Sequence, residues 1–93
     1  MPQESQSDVP GETISVKAAV TAVQAFIKDL FGPEQLRYTR LEEIELNQLE
    51  TEWLVTMSLS SSTNVIFSPN ERDFRTFRVD ANTGRVISMK ARK

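Results

Sequence analysis

Apolar residues recur at a helical period in one stretch of this chain. Val16, Ala19, Val20, Val23, Ile27, Leu30 and Phe31 fall at i, i+3, i+4, i+7, i+11, i+14 and i+15, which places them on one face of an α-helix. Ser15 (or Thr13) stands where a side-chain oxygen can accept an unpaired N–H of the first turn. Gly32 followed by Pro33 stops the pattern, because glycine takes the left-handed C′ conformation and proline cannot continue the helix. The spacing predicts a helix over Val16–Phe31. Ala18, Ala22 and Ala25 flank its stripe and allow a sheet to approach closely.

After Pro33 the period falls to two. Tyr38–Leu46 is predicted as a strand with Ile44 and Leu46 on one face, Glu43 and Glu45 on the other, and Glu42 opposite those two glutamates. Asn47–Thr51 is a polar loop. Glu52–Ser60 alternates, with Trp53, Val55, Met57 and Leu59 inward and Thr56, Ser58 and Ser60 outward. One wet face implies antiparallel pairing. Asp73–Asp80 is a third strand with Phe77 and Val79 inward, Asp80–Gly84 is a turn, and Arg85–Ala91 is a last strand with Ile87 and Met89 on one face. The expected fold is α+β: one N-terminal helix packed on a four-stranded antiparallel sheet. Residues 1–12, polar and without period, read as a disordered arm, and 13–93 as a single domain.

Composition narrows the chemistry. A chain of 93 residues holds one domain, and it contains neither cysteine nor histidine. Disulfides, thiolate nucleophiles, Cys/His zinc sites and Ser-His-Asp triads are thereby excluded within it. No glycine-rich phosphate loop or nucleophile elbow appears, so no cofactor and no enzymatic activity are expected. Val16–Phe31 is broken by Lys17, Lys28 and Asp29, so no membrane span is expected. The first twelve residues lack the basic and apolar regions of a secretory signal, which reads as cytoplasmic for the chain as given and extracytoplasmic if a signal was removed.

The net charge of −2 conceals a split: residues 1–70 carry −6 and residues 71–93 carry +4. One reading sets the basic C-terminal strands beside the acidic first strand, where the charges compensate. The other makes Arg72, Arg75, Arg78, Arg85, Lys90 and Arg92, interleaved with Phe74 and Phe77, a basic surface for single-stranded nucleic acid. The first is favoured. The cluster Glu42, Glu43 and Glu45 reads as a solvated strand face rather than a catalytic pair or cation site. Trp53 and Tyr38 could stack a ligand, but their strand phase favours packing. Val65, Ile66 and Phe67 form an apolar island in the polar stretch Ser60–Arg72. It either folds over the sheet or is a partner-binding patch. If exposed, it predicts a weak homodimer through Ile66 and Phe67.

The segment Phe77-Arg78-Val79-Asp80-Ala81-Asn82-Thr83-Gly84-Arg85-Val86-Ile87 resembles the closing hairpin of PepSY-type domains, an apolar strand followed by Val-Asp-Ala-x-Thr-Gly-x-Val. Ile14-Ser15-Val16-Lys17-Ala18-Ala19 resembles the start of the PepSY helix, and Trp53-Leu54-Val55-Thr56 sits where that family has its central strand. The likeness runs from Thr13 to Arg92. It implies a helix on a curved antiparallel sheet, similar to cystatins. It also implies a small bacterial protein-binding module, non-enzymatic and protease-inhibitory or regulatory. The alternative is a nucleic-acid-binding protein using the basic hairpin.

Overall fold

The computed structural model describes residues 13–60 and 72–92. They form a helix α1 (Val16–Phe31), a 3-10 helix (Pro33–Tyr38) and strands β1 (Thr39–Leu46), β2 (Glu52–Leu59), β3 (Asp73–Asp80) and β4 (Val86–Ala91). Each strand pairs antiparallel with its sequence neighbour, so the sheet order is β1-β2-β3-β4. The architecture is the α+β fold expected: one helix on a four-stranded antiparallel sheet. The N-terminal arm and the island Val65-Ile66-Phe67 lie outside the described residues.

The helix begins and ends where its punctuation requires. Ser15 is extended and its Oγ accepts the Ala18 N–H at 3.0 Å. Gly32, at φ 100°, lies in the region that only glycine enters without strain, and its N–H donates to the Lys28 carbonyl. The chain then coils once more instead of extending. Pro33 opens the 3-10 helix at a position where a missing N–H costs nothing, and the first strand starts at Thr39 rather than Tyr38.

The buried stripe of α1 is shorter than its sequence period suggests. Ala19, Val23 and Ile27 are fully buried, with Ala22 and Phe26 packed against them. Val16 and Leu30, at the two ends, are 46 % and 54 % exposed, and Phe31 is exposed as well. The helix meets β2, β3 and β4, while β1 is reached by the 3-10 helix. Beneath α1 lie Val55, Met57, Leu59, Phe77 and Val79, with the Phe26 and Phe77 rings edge to face at 6.0 Å.

Three expectations about facing are corrected. An extra residue, Glu42, interrupts the β1–β2 register between Leu41 and Glu43. This bulge turns Glu42 to the same side as Glu43 and Glu45 rather than the opposite one. A second irregularity pairs Arg78 with Ser88 but Val79 with Val86, leaving Ile87 extra. Val86 and Met89 therefore face the core, and Ile87 is 40 % exposed. Finally, Thr56 and Ser58 point away from α1 as expected yet are not wet: they are 4 % and 0 % exposed.

Candidate functional site

The open face of the sheet is roofed by its own charged side chains. Ser58 Oγ donates to Glu42 Oε2 at 2.6 Å and accepts from Arg72 Nε at 2.7 Å. Arg72 Nη2 also donates to the carbonyls of Ser58 (2.9 Å) and Tyr38 (3.1 Å). Farther along, the Thr56 and Thr76 hydroxyls lie 3.1 Å apart, and Arg92 Nη1 donates to Thr56 Oγ1 and Glu43 Oε1, both at 3.2 Å. Arg78 grips Glu52 with two bonds of 2.9 and 2.7 Å. Burial without apolar cover is tolerated here because every hydroxyl named has a partner.

These partners set the titration of the face. Glu42 is held below its ordinary pKa first by the Ser58 hydroxyl and then by Arg40. Glu52 is lowered by its bonds from Arg78, and Asp80 by the backbone N–H groups of Thr83 and Asn82. All three carboxylates are stabilised in the ionised form. A general acid needs the reverse, a carboxyl raised towards neutrality.

The six C-terminal basic residues do not form one surface. Arg75 faces α1: it bonds Asp73 and sits 5.6 Å from the centre of the Phe31 ring. Arg72, Arg78 and Arg92 lie on the open face and are engaged as described. Lys90, opposite Thr76, shares that face, and Arg85 follows the turn close enough to Asp80 to lower its pKa. Charge compensation between the chain's two halves does occur, both between neighbouring strands, as Arg78 of β3 holds Glu52 of β2, and by reach across the sheet. β1 and β4 are opposite edges, and Arg92 spans the sheet to Glu43. Glu42, Glu43 and Glu45 line one side, but among the described residues no three acids converge as metal ligands. No described helix is long and apolar enough to cross a membrane.

Of the two candidate stacking aromatics, Trp53 is structural. Trp53 packs against the core and its Nε1 donates to the Ile14 carbonyl at 3.1 Å. Tyr38 is half-buried, and its carbonyl receives Ser60 N–H and Arg72.

A different feature has the shape of a docking site. Between the first turns of α1 and the β3–β4 turn runs a groove of about 540 Å³, lined by Ile14, Ala18, Thr21, Ala22, Thr83 and Gly84. Its two walls are tied together. The Ile14 N–H donates to the Ala81 carbonyl at 2.7 Å, and Ile14 Cδ1 lies 3.6 Å from where a Cβ on Gly84 would stand. Gly84, at φ 83°, closes the turn that Asp80 organises by accepting Asn82 and Thr83 N–H groups. The small residues that make the groove are visible in the sequence as Ala18 and Ala22 beside the apolar stripe. They read there as a surface for the sheet, and only the position of the distant turn shows that they border an opening.

Comparison of the chain with family models, with curated proteins and with solved structures finds no match.

Proposed function

We propose that this protein is a small, non-enzymatic protein-binding module of PepSY type, with the groove between α1 and the β3–β4 turn as its docking surface. The observation that carries the reading is the identity of the groove walls. Ile14, Ser15, Lys17 and Ala18 belong to one stretch that resembles PepSY domains, and Thr83 and Gly84 belong to the other. Two segments some seventy positions apart therefore build one shallow, mostly apolar depression, joined by the hydrogen bond from Ile14 N–H to the Ala81 carbonyl. Apolar and pre-formed, such a groove suits an inserted side chain better than a polar metabolite. A non-enzymatic role is supported by the carboxylates, whose shifts serve ion pairs and a turn.

The test is a photo-reactive amino acid placed at Ala18 and, in a separate sample, at Leu54 on the open face. Cell lysate should yield a discrete protein adduct from position 18 that Thr21→Arg, a block on the groove wall, removes without loss of helicity. Equal labelling from both positions, or no adduct from position 18, rejects the groove as the binding surface.

A further inference from the structure

The edges of the sheet differ in charge. On β1 the side chains turned to the open face are Arg40, Glu42, Glu43 and Glu45. Arg40 pairs with Glu42 and Arg92 reaches Glu43 from across the sheet, so beyond those pairs β1 carries Glu45 and β4 carries Lys90. Neither outer edge is paired with another strand among the described residues. They differ in apolar cover too. On its helix side β1 has Leu41, Ile44 and Leu46, and α1 lies over the other three strands, so Leu41 is 42 % exposed. Just before β4 begins, the groove between α1 and the turn at Thr83 and Gly84 lies open, its surface mostly apolar with Ser15, Lys17, Thr21 and Thr83 along its walls.

We propose that the occupant of this groove is the β1 edge of a second copy of the chain, joined head to tail to β4. This rests on the reading of the groove as a protein-docking surface and names its partner. Strand direction permits it. In a four-stranded meander β1 and β4 run oppositely, so a copy in the same orientation sets its β1 antiparallel to β4 and continues the sheet. Acidic Glu45 then meets the edge carrying Lys90. The apolar residues of β1 come under the flank of the neighbouring α1, where Ala18 and Ala22 leave space. The contact is heterologous and does not close on itself. The bulges at Glu42 and Ile87 leave Glu43–Leu46 and Ser88–Ala91 as the regular edges, which keeps each contact short and the assembly weak. Attraction between opposite edges reaches about 30 Å at 0.01 M salt and about 8 Å at 0.15 M, so association must fall steeply between those conditions.

Sedimentation equilibrium of the full chain over a concentration series tests this. At about 0.01 M salt the weight-average mass should climb past that of a dimer, and at about 0.15 M salt it should return towards 10.6 kDa. Glu45→Lys alone and Lys90→Glu alone should each stay at the monomer mass in low salt. An equimolar mixture of the two should associate again, because each supplies the edge that the other reversed. A wild type that stays monomeric in low salt overturns the proposal, as do association indifferent to either variant and a mixture that fails to associate. If the wild type is monomeric while position 18 still yields an adduct with a different protein, only the identity of the partner falls. If position 18 yields no adduct at all, the groove reading falls with it.

Discussion

On the helix side of β2, Val55 and Met57 are sealed by α1, Phe77 and Val79; on the opposite side of the same strand, Thr56 and Ser58 are sealed by Glu42, Arg72, Thr76 and Arg92. The degree of burial is alike and the means are not. Apolar burial draws on area removed from water and tolerates small shifts of neighbouring atoms. Polar burial draws on specific bonds, and loss of one member leaves another unsatisfied. A sheet covered by a single helix can thus be occluded on both faces, with the second face closed by long side chains lying across it. The consequence for function is positional. The polar residues of the open face are taken up by their own contacts, with Phe74, opposite Ser58, 39 % exposed there. Further exposed apolar surface lies on the helix side, at the groove and along β1.

Deleting the centre of the apolar face should have the largest effect. Phe77→Ala removes a fully buried ring packed against Phe26, and a loss of about 3–5 kcal/mol in urea unfolding is expected. A loss below about 1 kcal/mol would make the helix-side core no stronger than a single hydrogen bond.

On the polar face, Ser58→Ala should cost about 1–3 kcal/mol. The substitution itself removes only one oxygen, but Arg72 Nε and Glu42 each lose a partner. Removing Glu42 as well should cost less than the sum of the two single changes, a coupling that a double-mutant cycle measures. Additive effects would show that the two side chains do not act as a unit.

Acid should loosen the open face before the helix face. Glu42, Glu52 and Asp80 have folded pKa values below their ordinary ones of 4.5, 4.5 and 3.8. Their contribution is therefore complete above the ordinary carboxylate range and is lost as pH falls through the lower folded values. The urea midpoint should be level near neutrality and decline below that range. A midpoint that rises on acidification would reverse the assigned sign.

The smallest effect lies off both faces. Glu50, in the β1–β2 loop, has φ 59°, where a side chain is strained. Glu50→Gly should raise stability by on the order of 0.5 kcal/mol without altering either face.

What the sequence discloses follows the range of the interactions. Helix α1 was legible to the residue because Ser15, Gly32 and Pro33 act within a turn of their own positions. Strand β3 was equally plain, since Asp73–Asp80 alternates and its turn carries Asp80 and Gly84. The bulges at Glu42 and Ile87 were not legible, because they answer to the register of a partner strand. Burial of Ser58 was hidden for the same kind of reason: it depends on Arg72 and Glu42, fourteen and sixteen positions away. The groove is the extreme case. Its walls, near Ile14 and Gly84, are separated in the chain by α1 and the strands β1, β2 and β3.

The placement of the contact surface is tested most directly by mapping amide chemical shifts as protein concentration is raised in low salt. Changes are expected in Ile14–Ala22, in Thr83 and Gly84, and along β1 and β4. Leu54, Thr56 and Thr76, beneath the charged roof in the middle of the open face, should stay fixed. Changes centred on those three residues, with the groove and both edges silent, would contradict the assignment and move the binding surface to the opposite side of the sheet.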